Sequence, residues 1–354
     1  AMGAYSLGLQ LANAQGRPMS YGLLTVSRGA IALALAVLFA QLGYGGIGAV
    51  IGAVIACAIC VLLLGFRVPD GAMRRSPELR RQIVVYGFPL TMTYLATMVL
   101  DFGDRFMIGW LLGASAVAAY AAAYDLPQQV VGAIMNVLFL AAYPRVTAAW
   151  EEGGAGAARR AMLPLSRAML LAVPLVTGVV IGWAPEISRV VFGPSLREEA
   201  IQVMPWVAFA LGVGCIKSFY LDVAFQLSKV LHVQLRITAA MAVLNVGLNL
   251  LLIPRYGVVG AAISTAAACS AGAAMSWAFG RCLGVYPSGL RDALSMLVVL
   301  IAVIATMRML PPADLGTTLD GILRLLAGLV SYVIAVSLLN LAGIRSIVKR
   351  GAKN

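Results

Sequence analysis

Charge is the first thing this sequence has little of. Only 11% of its 354 residues are charged, against about a quarter in a soluble domain. With 61% hydrophobic residues, a water-soluble fold would expose large sticky patches, so the composition argues for a chain embedded in lipid. Histidine is nearly absent: His232 is the single one and lies in a short connection, which argues against a histidine-based metal centre. The chain has no G-x-x-x-x-G-K-[ST] run, so it lacks the phosphate loop of a nucleotide-hydrolysing engine. Cysteines number five. Cys57, Cys60, Cys215 and Cys269 fall inside apolar runs, and Cys282 just past one. The C-x-x-C of Cys57 and Cys60 lies within an expected membrane span, so it is read as small packing residues rather than a redox or metal pair. No cofactor and no metal are expected.

What the chain does have is long apolar runs. A helix needs about 20 apolar residues to cross the hydrocarbon core, and ten stretches qualify: 21–42, 45–66, 82–108, 116–143, 162–184, 201–225, 235–254, 257–280, 291–310 and 320–342. The fold class expected is an all-α integral membrane protein with about ten transmembrane helices. The net charge of +12 does not gather into a patch for nucleic acid. Of the 26 basic residues, seventeen fall in connections on one side, Arg17, Arg74, Arg81, Arg160 and Lys349 among them, and three (Arg189, Arg197 and Arg255) on the other. By the positive-inside rule both chain ends then face the cytoplasm. The longest outer connection, 185–200, is too short for the catalytic loop of a polysaccharide polymerase or ligase.

The stretch GYGGIGAVIGAVIAC, residues 43–57, carries Gly43, Gly45 and Gly48 in the G-x-G-x-x-G spacing of a dinucleotide site, with Asp70 placed for a ribose hydroxyl. Residues 47–66 are apolar or small all round, however, which describes a helix in lipid, where glycine allows close helix approach. Residues 256–269, YGVVGAAISTAAAC, repeat residues 44–57 at seven of fourteen positions with an offset of 212. The copies share a Tyr-Gly turn that starts a membrane helix. A repeat of this kind marks a two-lobed transporter. A constant offset puts the partner of the span beginning at Gln82 about 130 residues before Ala1. That is room for four helices at about 30 residues per span with its connection. The expectation is therefore a two-lobed fourteen-helix fold of which this chain lacks the first four helices.

Three stretches carry a family resemblance. LNLLLIPRYGVVGAAISTAAA (248–268), DRFMIGWLLGASAVAAYAAAYDLPQ (104–128) and VVFGPSLREEA (190–200) resemble segments of the bacterial polysaccharide, O-antigen type, flippases. These belong to the multidrug/oligosaccharidyl-lipid/polysaccharide exporter superfamily. The resemblance covers nearly the whole chain as helices five to fourteen. It implies four parts: 1–66 as the remainder of an N-terminal lobe with two spans, 67–81 as a cytoplasmic inter-lobe linker, 82–280 as a C-terminal lobe of six spans, and 281–354 as two last spans with a basic tail. It implies translocation of an undecaprenyl-pyrophosphate-linked glycan across the inner membrane by alternating access, in contact with membrane lipid, with H+ or Na+ as candidate coupling ion and a polysaccharide polymerase complex as candidate partner. Lipid II flippases and multidrug-cation exporters of the same superfamily are the alternatives.

Charged residues inside spans are costly and usually face a cavity or a partner. At 1.5 Å per residue, Arg28, Arg167 and Lys217 lie about 10, 7 and 12 Å from the cytoplasmic ends of their helices. All three fall in the inner half, as a candidate cationic cavity for a pyrophosphate headgroup. Snorkelling is the competing account for Arg28 and Arg167, and a polar patch shared with Asp222 for Lys217. Asp101, Asp104 and Asp125 fall in the outer half, as candidates for ion coupling or an outer gate. Asp101 and Arg105 are spaced for an i, i+4 ion pair, which would leave Asp104 available to a partner or cation. Asn245 and Asn249 share a helix face, for interhelical hydrogen bonds or sugar contact. Arg308 and Arg324, near the outer ends of the last two helices, are read as snorkelling. A catalytic centre is not expected.

Overall fold

The computed structural model describes residues 5–6, 8–9, 18–63, 77–310 and 317–343. Arg17, the connection with Arg67, Asp70, Arg74 and Arg75, and the tail with Arg345, Lys349, Arg350 and Lys353 lie outside the described residues. The described residues are helical and contain no strand. They divide into two compact units, Ala1–Ser76 and Pro77–Asn354.

In the first unit, α1 (Pro18–Gln41) and α2 (Gly45–Leu63) form a hairpin. Gly43 and Gly45 make the turn with φ of +85° and +52°, a region that L side chains rarely enter. One turn into α2, a Cβ on Gly48 would sit 2.5 Å from the Phe39 Cβ, and one on Gly52 3.0 Å from the Leu35 Cβ. The glycine spacing is thus a helix-contact stripe continued by buried Ala56, Cys57 and Cys60, where small residues let backbones meet without a hydrophobic drive from lipid. The dinucleotide fingerprint is spent on a turn and a helix–helix seam. Both cysteines of the C-x-x-C are buried free thiols.

The second unit comprises α3 (Pro77–Leu112), α4 (Ala114–Gly182), α5 (Ala184–Val191), α6 (Pro194–Ile216), a π-helical turn (Lys217–Leu221), α7 (Val223–Leu227), α8 (Leu231–Gly280), α9 (Leu290–Met309) and α10 (Thr317–Leu339). Two of these are bent hairpins. α4 reverses at Gly153–Gly154, where Gly154 has φ +62°, and α8 at Gly257, φ +59°. Each arm is a separate span, so the ten expected spans map onto α1, α2, α3, two arms of α4, α6 with its π turn and α7, two arms of α8, α9 and α10. Among the described residues seven helical segments, the bent ones counted once, are long and apolar enough to cross a membrane. α3 is long enough but carries Arg81, Asp101, Asp104 and Arg105. Its lipid-facing side is nonetheless apolar: Phe106 and Trp110 are 79% and 77% exposed, which suits hydrocarbon and not water.

The internal repeat is a repeat of geometry. At the same offset of 212, Gly257 matches Gly45 in positive φ. Gly260 matches Gly48 in having no room for a Cβ, which would lie 2.4 Å from the Leu252 carbonyl oxygen. In both copies a left-handed glycine turns the chain and a second glycine three residues on seats the new helix against the old. α3 packs on α8, the arms of α4 on α6, and α9 and α10 on the second arm of α4. Small and β-branched residues such as Ala123, Val203, Val207, Ala208 and Ala261 fill the centre.

Candidate functional site

The core of the second unit holds polar side chains in two clusters joined by a cavity. The first hangs on α3. Asp104, two helical turns beyond Thr97, is buried from solvent and faces the reversal of α8. It accepts hydrogen bonds from the Tyr120 hydroxyl at 2.8 Å, the Thr265 hydroxyl at 2.5 Å and the Asn249 amide at 2.6 Å. Asn249 also donates to Asn245 Oδ1, and Asn245 to Thr265 Oγ1, each at 3.2 Å. The bend at Gly257 makes this possible, because it brings Asn245 and Asn249 on one arm beside Thr265 on the other. Within this closed ring Asn249 Oδ1 alone is buried without a partner. Low dielectric strengthens such a network and penalises any gap in it.

The second cluster surrounds Lys217. At the end of α6 the backbone widens by one residue, and the Asp222 amide donates to the Lys217 carbonyl, five residues back, at 2.8 Å. In an α-helix, residues five apart point in different directions. The π turn brings them together, and Lys217 Nζ meets Asp222 Oδ2 at 2.7 Å with side-chain exposures of 5% and 3%. The Asp222 carboxylate also accepts from Ser276 at 2.9 Å and Gln234 at 3.3 Å, and Lys217 reaches Thr238 at 3.4 Å. Such π bulges recur at functional sites.

A cavity of about 260 Å³ lies between them, with Thr97, Asp101, Tyr124, Gln128, Lys217 and Thr265 among its walls. Cys215 and Cys269 line it as well. The expected pair of Asp101 with Arg105 does not form. Arg105 instead crosses to α4, pairing with Asp125 at 2.5 Å between the rings of Phe102 and Tyr124. The physical reason is exposure: the Asp125 side chain is 59% exposed, so joining it costs little desolvation, and two aromatic faces hold the guanidinium there. Asp101 is left without an ion pair or hydrogen bond. Asp104, expected to be available, is instead saturated by donors.

Of the three expected cavity cations, Arg28 belongs to the first unit and Arg167 and Lys217 to the second. The Arg28 guanidinium stacks over Tyr5 and approaches the Cys57 sulfur at 3.9 Å, with no carboxylate partner among the described residues. Arg167 sits half-buried on the second arm of α4, likewise without an ion pair among the described residues. Lys217 is neutralised by Asp222. Arg324, expected to snorkel, pairs with Glu186 at 3.1 Å, and Arg308 points to the Ile181 carbonyl. Tyr120, Thr265, Gln234, Thr238 and Ser276 were not legible as site residues. The signal for Gln234 and Thr238 was their four- and seven-residue spacing with Asn245 and Asn249 on α8; Tyr120, Thr265 and Ser276 carry no such spacing. Among the described residues no group of three or more His, Cys, Asp and Glu gathers. The oxygen-rich set around Asp104 suits a proton or a hard cation and not a soft transition metal.

Residues 19–150 match the sequence profile of a family described as polysaccharide biosynthesis protein. No curated protein matches. Among solved structures, the chain is similar to one titled lipid II flippase MurJ, inward closed conformation, at 14% identity with a TM-score of 0.65, covering 94% of this chain and 70% of that one. The fold is thus the all-α, many-helix fold of that solved structure.

Proposed function

We propose that the protein moves an undecaprenyl-pyrophosphate-linked oligosaccharide across the bacterial inner membrane by alternating access, for synthesis of a cell-surface polysaccharide such as O-antigen, the glycan of lipopolysaccharide, or an exopolysaccharide. The observation that carries this reading is a cavity with the ion-paired Lys217 and the carboxylate of Asp101 on its wall, inside a bundle folded like a lipid II flippase. A scaffold would not require charges at this depth. The profile match to polysaccharide biosynthesis supports an oligosaccharide cargo, and the basic excess on one side supports both chain ends being cytoplasmic. Among the described residues Arg28 and Arg167 have no carboxylate partner, so each is a candidate contact for a pyrophosphate. Lys217 becomes one only when Asp222 lets it go. H+ or Na+ drives the cycle through Asp101, the acid of this region that no hydrogen bond or ion pair holds among the described residues. The Arg105–Asp125 pair, half open to the surroundings, acts as an outer gate.

The likeness to a lipid II flippase favours lipid II as a second cargo. One purified sample distinguishes these. Binding of undecaprenyl-pyrophosphate-oligosaccharide, of lipid II and of a lipophilic drug cation is measured before and after Arg28→Ala and Arg167→Ala. The proposal expects preference for the oligosaccharide lipid and a loss of about tenfold or more per arginine, since a hydrogen bond to a charged group contributes about 1.5–3 kcal/mol. Preference for lipid II transfers the protein to the second reading. Preference for the cation refutes both.

A further inference from the structure

Among the described residues Asp101 is the one carboxylate on the wall of this cavity, and no ion pair or hydrogen bond holds it. Its neighbours are all committed. On its own helix, Asp104 is saturated by three donors and Arg105 is held by Asp125. From α4 come Tyr124 and, beyond it, Asp125. From α8 come Thr238, Thr265 and the Cys269 thiol, and from α6 the Cys215 thiol. The one cation on the wall is Lys217, at the π turn. Its present partner does not depend on it alone, because Asp222 keeps the hydrogen bonds of Ser276 and Gln234 if the ammonium leaves. Lysine carries a point charge on a flexible four-carbon stem, and the space it would cross is the cavity itself.

We propose that Asp101 is a proton-binding site whose charged form competes with Asp222 for the Lys217 ammonium. This rests on the transporter reading and gives its coupling ion a chemical identity. With the proton on, Asp101 is neutral and Lys217 stays with Asp222. When the O–H bond breaks, the proton leaves to cavity water and the electron pair stays on the carboxylate. An unpaired charge at this depth is costly, and the ammonium relieves it by turning from Asp222. No other bond changes. The exchange reaches past the cavity, because the π turn also holds the connection into α9. Tyr286 donates to the Leu221 carbonyl at 2.7 Å, and the Ser288 amide donates to the Tyr220 hydroxyl at 3.1 Å. Loosening the Lys217–Asp222 pair therefore loosens the latch on 284–289.

The test is infrared difference spectroscopy of the purified full chain, following the protonated-carboxyl stretch through a pH titration. The expected result is a titrating band that disappears in Asp101→Asn and persists, displaced, in Asp101→Glu, the variant that also checks folding. Its midpoint moves to higher pH in Lys217→Gln, which removes the competing cation. It moves to lower pH in Asp222→Asn, which frees that cation for Asp101. A purely structural Asp101 would show neither opposed shift. An undiminished band in Asp101→Asn, or a midpoint indifferent to both Lys217→Gln and Asp222→Asn, overturns the proposal. Glycolipid binding on the same samples separates the two readings. A titrating Asp101 band without glycolipid binding keeps the proton site and removes the glycolipid cargo; glycolipid binding without the band does the reverse.

Discussion

Removing Lys217 should be among the most damaging single changes in the chain, and removing its partner as well should repair much of the damage. In Lys217→Met the Asp222 carboxylate stays buried with only Ser276 and Gln234 to answer it. Breaking a buried pair from one side costs about 3–5 kcal/mol, whereas replacing both partners by neutral groups is far milder. Lys217→Met with Asp222→Asn removes the stranded charge while keeping an acceptor for Ser276 and offering an N–H to the unpartnered Gln234 carbonyl. It should therefore recover at least about 2 kcal/mol relative to Lys217→Met. The assay is reversible unfolding in mixed micelles, run as a double-mutant cycle. An ordinary hydrogen bond inside a membrane protein is worth about 0.6 kcal/mol on average. A coupling energy no larger than that would refute the idea that the π turn exists to hold an ion pair.

Other changes test neighbouring parts. Gly48→Leu should separate α1 from α2, since even a Cβ there would be 2.5 Å from the Phe39 Cβ, while Gly46→Leu, with open space around it, should leave the melting temperature of the purified chain unchanged. Gly257→Ala forces a side chain into φ +59° and should cost about 1–3 kcal/mol by the same unfolding assay. Asn249→Ala strips a donor from buried Asp104 and opens the ring, so a loss of about 1–3 kcal/mol is expected. Asp125→Asn, in contrast, touches a half-exposed pair and should change stability by about 1 kcal/mol or less; a larger loss would mean the pair is sealed from water.

The membrane spans and the repeat were legible because they depend on local composition. Runs of about 20 apolar residues mark spans wherever they occur, and the shared Tyr-Gly turn of 44–57 and 256–269 fixes both φ and close approach within a few residues. The site was less legible because its partners come from different helices. The spacing of Asp101 and Arg105 suggested a pair along α3, yet Arg105 found a carboxylate twenty residues on. Asn245 and Asn249 were recognisable as one face, but not that Asp104 would be their target, 145 residues before Asn249. Lys217 and Asp222 were readable as one polar patch, but not the inserted π residue that brings them face to face. The position of each charge along its helix was readable from sequence. Charge pairing, which decides what remains for a substrate, was not.

The most direct measurement of the central claim is translocation itself. The purified protein is reconstituted into vesicles carrying a fluorescent undecaprenyl-pyrophosphate-oligosaccharide, and the fraction shielded from an external quencher is followed in time. The account predicts that the shielded fraction equilibrates between leaflets faster than in protein-free vesicles, and that Arg28→Ala slows it. A shielded fraction indistinguishable from protein-free vesicles, with the protein folded and inserted, would contradict it.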